Sequence, residues 1–215
     1  MPIKNIQFNS FKPYSHYLKN EENNFKKNMP NPKALVGAAA GVLCGMKIAP
    51  VLIKKGKIKE GTLKEVIEML SMAGLANVFS VLFASFKNDN KKENSKKWRE
   101  AGFQFMNTSI PMLMVSAVHE VCKRCNSLNN KPVKIIGSIL GMLGGAMIAT
   151  KLSNLSAEND SQIRKYSLKD SIANFDDIAA TIIIGFPQYQ KLNKYAKILL
   201  PYIYTYCGMR AGSKE

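Results

Sequence analysis

The sequence predicts an all-α protein: a polytopic membrane bundle of about six helices, arranged as two three-helix repeats. Three observations carry that reading. Six apolar blocks are set apart by basic stretches, a glycine-rich motif occurs twice, and helix-start signals stand at block edges. The chain has 215 residues, 46% hydrophobic and 21% charged. That is enough to bury a core, and it excludes wholesale disorder. The mean hydropathy of −0.12 conceals the pattern, because it averages greasy blocks with very basic ones.

Residues 1–30 form a polar N-terminal arm rich in Lys and Asn, with scattered Phe8, Phe11, Tyr14, Tyr17 and Phe25. No apolar core follows the first Lys, so the arm does not read as a secretory signal. The apolar blocks then follow in order: Ala34–Ile53, Met69–Phe86, Ala101–Val118, Ile135–Thr150, Ile178–Phe186 and Ile198–Met209. Roughly 20 residues of helix cross a bilayer core. The second and third blocks, each without a charge, meet that length directly. The first and fourth nearly do, and their neighbouring Lys residues can snorkel. The fifth and sixth need tilt or local thinning. No block alternates strictly, which argues against strands. A helix that faces water carries a polar stripe, yet blocks two and three offer only Ser71, Asn77, Ser80, Gln104, Asn107, Thr108 and Ser109.

Helix punctuation agrees. Asn31-Pro32 supplies a cap and a first-turn proline before block one. Thr62 to Glu65 makes a capping box before block two, and Ser167 to Asp170 makes one before block five. Trp98, Tyr166, Tyr189 and Tyr195 flank blocks three, five and six, where amphipathic rings suit headgroup level.

Residues 32–49 align without gaps on 132–149. Identical pairs are Pro32/Pro132, Gly37/Gly137, Gly41/Gly141, Leu43/Leu143, Gly45/Gly145, Ile48/Ile148 and Ala49/Ala149. The capping boxes recur in the second helix of each half, and a central proline, Pro111 or Pro201, recurs in the third. The expected organisation is therefore repeat one over 31–125, a linker over 126–130 and repeat two over 131–212. Three spanning helices per repeat would invert the second unit in the membrane.

Gly37, Gly41 and Gly45, and likewise Gly137, Gly141 and Gly145, lie four apart on one helix face. In lipid, such small residues let backbones approach. In water each would cost roughly 1 kcal/mol of helix propensity with little return. The simplest packing sets helices one and four against each other; in the alternative each stripe meets another subunit.

The chemistry is sparse. Asp176-Asp177, beside an apolar run, is a candidate ion or proton site, with Asn77, Gln104 and Asn107 as candidate neighbours, because ionisable groups in a membrane usually face a cavity. The competing reading leaves the acidic pair at the headgroup boundary. His119, Cys122 and Cys125 share one broad helix face and form a weak metal candidate. A reduced cysteine pair is the preferred reading, because no second CxxC or His pair completes a site. No phosphate loop, nucleophile elbow or Ser–His–Asp set occurs, so neither an enzyme nor a cofactor is expected. The stretch Lys91–Glu100 reads as a basic loop suited to anionic lipid headgroups.

A formal charge of +16 favours anionic surfaces; interleaved acids disfavour nucleic acid. If arm and tail share a side, that side holds 18 Lys and Arg against 12, a slight excess that places both termini in the cytoplasm. The function expected first is a small multi-pass membrane protein of transport or channel-like kind. Two other readings stand beside it: a membrane scaffold associating through its glycine faces, as a homo-oligomer or with partner helices, and a soluble basic helical protein that binds nucleic acid or membrane surfaces.

Overall fold

The computed structural model describes residues 31–58, 62–85, 91–155, 175–186 and 189–213; the side chains of Thr62 and of residues 175–177 are outside the description. The arm and residues 156–174, which include Tyr166 and the second capping box, likewise lie outside the described residues. The described residues form six α-helices: α1 Pro32–Lys55, α2 Thr62–Ala84, α3 Lys91–Arg124, α4 Lys131–Asn154, α5 Phe175–Gly185 and α6 Gln190–Gly212. A 3-10 turn, Asn126–Leu128, lies in the linker between α3 and α4.

Local chemistry explains where these helices start. Asn31 Oδ1 accepts from the Lys33 N–H at 3.0 Å, and Pro32 fills the first helical position. The same device opens α4: Asn130 Oδ1 accepts from the Val133 N–H at 3.0 Å, with Pro132 in the first turn. At 1.5 Å per residue, α1, α2, α4 and α6 are about 35 Å long. Three helices, Pro32–Lys55, Leu63–Ala84 and Lys131–Asn154, are long and apolar enough to cross a membrane.

Glycine positions fix the directions. Gly37, Gly41 and Gly45 of α1 lie on Phe79, Leu75 and Met72 of α2, so the two run antiparallel. Gly141 and Gly145 of α4 lie on Met114 and Pro111 of α3, again antiparallel. Gly208 and Gly212 of α6 lie on Ala76 and Ser80, so α6 runs parallel to α2. The start of α1 and the end of α6 therefore meet, and Asn31 N–H donates to Ser213 Oγ at 3.0 Å.

Helices α2, α3, α5 and α6 form the middle of the bundle. Helix α1 packs on α2 and α6, and α4 packs on α3 and α5. This corrects the expectation that helices one and four face each other, and equally the expectation that the stripes face another subunit. Each stripe is spent on a neighbour in its own chain. The partners are not equivalent, because α1 uses the helix that follows it and α4 the helix that precedes it.

The principal core cluster joins Val66, Met69 and Ala76 of α2, Met112 and Val115 of α3, Ile183 and Ile184 of α5, and Leu200 and Tyr204 of α6. A second correction concerns the basic stretch. From Lys91 onward it is helix, not loop, and α3 is 34 residues long. Lys97 and Glu100 turn inward, 5% and 3% exposed. Glu100 Oε1 accepts from Gln104 Nε2 at 2.8 Å.

The two outer helices are inside-out relative to a water-soluble protein. Helix α1 buries Ala34, Gly37, Ala38, Gly41, Val42, Gly45 and Ala49. It exposes Leu35, Val36, Leu43, Met46, Ile48, Val51 and Leu52. Helix α4 buries Ser138, Gly141, Gly145, Ala146, Ala149 and Ser153. It exposes Ile135, Ile136, Ile139, Leu140, Met147, Ile148 and Leu152. Burying one such large side chain contributes about 1.5–3 kcal/mol. Half-exposed in water, these fourteen forgo roughly 10–20 kcal/mol on that scale, as much as the whole net stability of a typical domain.

Candidate functional site

The sequence-predicted polar residues are described in part. Asn77 is buried on α2, and its Nδ2 donates to the Ala73 carbonyl one turn back at 3.0 Å. Its Oδ1 is buried without a hydrogen-bond partner among the described residues. Gln104 is spent on Glu100 of its own helix. Asn107 is half-buried on α3. No hydrogen bond among the described residues joins these three. The Asp176-Asp177 backbone lies in α5, and the two carboxylates are outside the described residues.

The metal candidate also separates. His119 is buried, and its Nε2 lies 2.8 Å from Ser138 Oγ of α4. The Ser138 hydroxyl donates to the Lys134 carbonyl at 2.7 Å, so the imidazole Nε2–H is the donor to Ser138. Gly185 of α5 makes room for this ring, since a Cβ there would lie 2.8 Å from Nε2. Phe186 meets the imidazole edge-on, with centroids 6.1 Å apart. Cys122 is buried and Cys125 exposed. Among the described residues no group of three His, Cys, Asp or Glu is placed to hold a metal. His119 is a packed and hydrogen-bonded link between α3, α4 and α5.

What the helices do bring together is a cleft of about 220 Å³ between α1, α2, α5 and α6. Its floor is apolar: Met69 and Met72 from α2, Ile183 from α5 and Leu200 from α6, with Met46 on the α1 side. Its ionisable lining residues are Glu65 and Glu68, near the start of α2, and Lys197 of α6. Lys197 Nζ donates to Glu65 Oε1 at 2.8 Å, and both side chains remain partly exposed. The Glu68 carboxylate has no ion-pair partner among the described residues.

Two prolines also border the cleft, Pro50 inside α1 and Pro201 inside α6. Proline has no N–H to return to the carbonyl four residues earlier. Those carbonyls belong to Met46 and Lys197, which line the same cleft. Among the described lining residues the cationic donor is Lys197, and it is already engaged by Glu65.

Sequence reading missed this site. Glu65 stood only as a capping-box acid, and Lys197 and Pro50 carried no signal of their own. The local signal was an i, i+3 carboxylate pair facing one way on α2. Its partner lies 132 positions away in the chain, beyond the reach of any local pattern. Searches against protein-family models, curated proteins and solved structures find no match for this chain.

Proposed function

We propose that this chain is a multi-pass integral membrane protein of transport or channel-like kind, whose helices enclose a small solute cleft. The observation that carries the membrane reading is the inverted surface of α1 and α4, with small residues inside and large apolar ones outside. In lipid those outer faces cost nothing, and the small faces let helices approach where no hydrophobic force drives them together. Helix α3 fits a bundle interior. Its Gln104, Thr108 and Ser109 are buried among other helices, which is where polar groups belong in a membrane protein.

Within this reading all six helices contribute to the bilayer bundle. The start of α1 and the end of α6 share one side. The excess of Lys and Arg assigns that side to the cytoplasm, with Trp98 toward it and Tyr189 and Tyr195 toward the other. Basic residues on both sides meet anionic headgroups. The 3+3 duplication reduces to the likeness of α1 and α4, since they dock on non-equivalent neighbours. Asp176 and Asp177 are not needed for the proposed site. A scaffold that associates through its glycine stripes loses its main support, because those stripes are occupied within the chain. A soluble nucleic-acid binder would have to tolerate the exposed Leu and Ile faces in water.

The test is partition after alkaline carbonate extraction of membranes that carry the full chain. Retention in the pellet is expected. Release into the supernatant would overturn the membrane reading.

A further inference from the structure

The cleft has a definite chemical demand. Among the described lining residues the charged groups are the Glu65 and Glu68 carboxylates and the Lys197 ammonium, which is bound to Glu65 at 2.8 Å. Glu68 has no ion-pair partner among the described residues, and it stands beside an apolar floor. An unpaired charge next to low-dielectric material is costly, and the matching opposite charge relieves that cost. The occupant must therefore bring a positive charge and N–H donors at one end and an apolar body at the other.

Size and softness narrow the class. A hard divalent ion takes six or more oxygen ligands, and thioethers are soft donors that such an ion does not choose. Met46, Met69 and Met72 instead form an adaptable surface for a hydrocarbon body. A cavity of 150 Å³ or so accepts benzene. The present 220 Å³ suits an amine of about ten non-hydrogen atoms. We propose that the cleft between α1, α2, α5 and α6 binds a small free organic monocation, an arylalkyl- or alkylammonium. Glu68 is its counter-ion, and the Met46, Met69 and Met72 side chains hold its apolar part. Lys197 acts as an internal competitor, because it occupies the second carboxylate, Glu65. The inference rests on the proposed solute cleft and names its ligand class.

The experiment is equilibrium dialysis of labelled phenethylammonium against the full chain in uncharged detergent micelles, with protein-free micelles as the blank. Saturable binding of one cation per chain is expected. Propylbenzene, its neutral counterpart in shape, should compete at least tenfold more weakly, and 3-phenylpropanoate should not compete. Glu68→Gln should weaken the cation about tenfold. Lys197→Met frees Glu65 and should tighten it several-fold, a gain that a misfolded chain does not produce. Propylbenzene competing as well as the amine, or an unchanged affinity in both variants, would overturn the proposal. So would loss of amine binding when phosphatidylethanolamine but not phosphatidylcholine is added, since that would make a lipid headgroup the occupant. A chain that resists carbonate but binds no amine refutes this inference and leaves the membrane reading standing. A chain that carbonate releases refutes the membrane reading whatever its amine affinity.

Discussion

Replacing Gly41 by alanine adds one methyl group at the tightest point between α1 and α2. A Cβ built there falls on the Leu75 carbonyl oxygen and lies 2.5 Å from the Leu75 carbonyl carbon and 2.7 Å from Ala76 Cα. All three atoms are backbone, so no side chain can swing aside. Contact between carbon atoms is comfortable at about 3.5–4.0 Å; helix α1 must retreat by roughly 1 Å to reach it. Tilting does not help. Gly37 and Gly45, one turn either way, are held just as closely, at 2.5 Å from the Phe79 carbonyl oxygen and 2.6 Å from Met72 Cα. A gap of 0.5–1 Å forfeits a quarter to a half of each dispersion contact along the seam. Overpacking of this kind costs about 1–3 kcal/mol, and the rigid partner puts this site near 3. Alanine recovers about 1 kcal/mol of helix propensity, leaving a net loss of about 2 kcal/mol. The control is Gly102→Ala, where no heavy atom of another described element lies within 4 Å of the added Cβ. That change should gain up to about 1 kcal/mol. The same contrast should hold between adjacent residues of α4. Gly145 lies against Pro111 Cα, whereas a Cβ at Gly144 meets no other described element within 4 Å. Loss of far-UV ellipticity during titration of mixed micelles with a denaturing detergent reads the difference. If Gly41→Ala were as stable as Gly102→Ala, the close α1–α2 packing would be wrong.

Other substitutions separate features that burial alone does not. Ser80 Oγ is buried without a hydrogen-bond partner among the described residues, and it sits against Gly212. Ser80→Ala should therefore be neutral or stabilising by about 1 kcal/mol, and a clear loss in the same titration would show that a partner exists. His119→Ala should cost about 2–4 kcal/mol, because it opens a cavity and removes the donor to the Ser138 oxygen. Cys125→Ser, at an exposed position, should change stability by less than about 0.5 kcal/mol. A metal chelator should leave the unfolding midpoint of the unaltered chain in place; a downward shift would restore His119 and the cysteines as a metal site.

Much of the architecture was legible because its causes are local. Asn31-Pro32 opens α1 as its capping chemistry dictates, and the uncharged runs after Met69 and Ala101 became α2 and α3. The glycines at 37, 41 and 45 announced a face meant for close approach. They did not announce which helix would meet it. Spacing of four residues specifies a flat surface and leaves the partner open, and the partners turned out to be α2 for one stripe and α3 for the other. Gly208 and Gly212 escaped notice because they stand among tyrosines, yet they seat α6 on Ala76 and Ser80. The stretch at Lys91 read as loop because charge dominated it. Helix propensity of Lys and Glu is good, and packing of Lys97 and Glu100 inward settles it as helix. The cleft was the least legible feature. Its three charged groups come from two helices, one near the start of the bundle and one at its end, and each charge taken alone has an ordinary surface explanation.

Native cysteines test the central claim most directly, which is that hydrocarbon surrounds the outer faces of this bundle. Cys44 stands at the middle of α1 and is half-exposed, and Cys125 is exposed just past α3. Variants retaining only one of the two can be treated with a charged thiol reagent in opened native membranes, where both aqueous sides are reachable. The account predicts rapid labelling at Cys125 and none at Cys44 until the lipid is replaced by denaturing detergent. Labelling of Cys44 at the same rate as Cys125 in detergent-free membranes would place water, not lipid, against α1 and contradict the account.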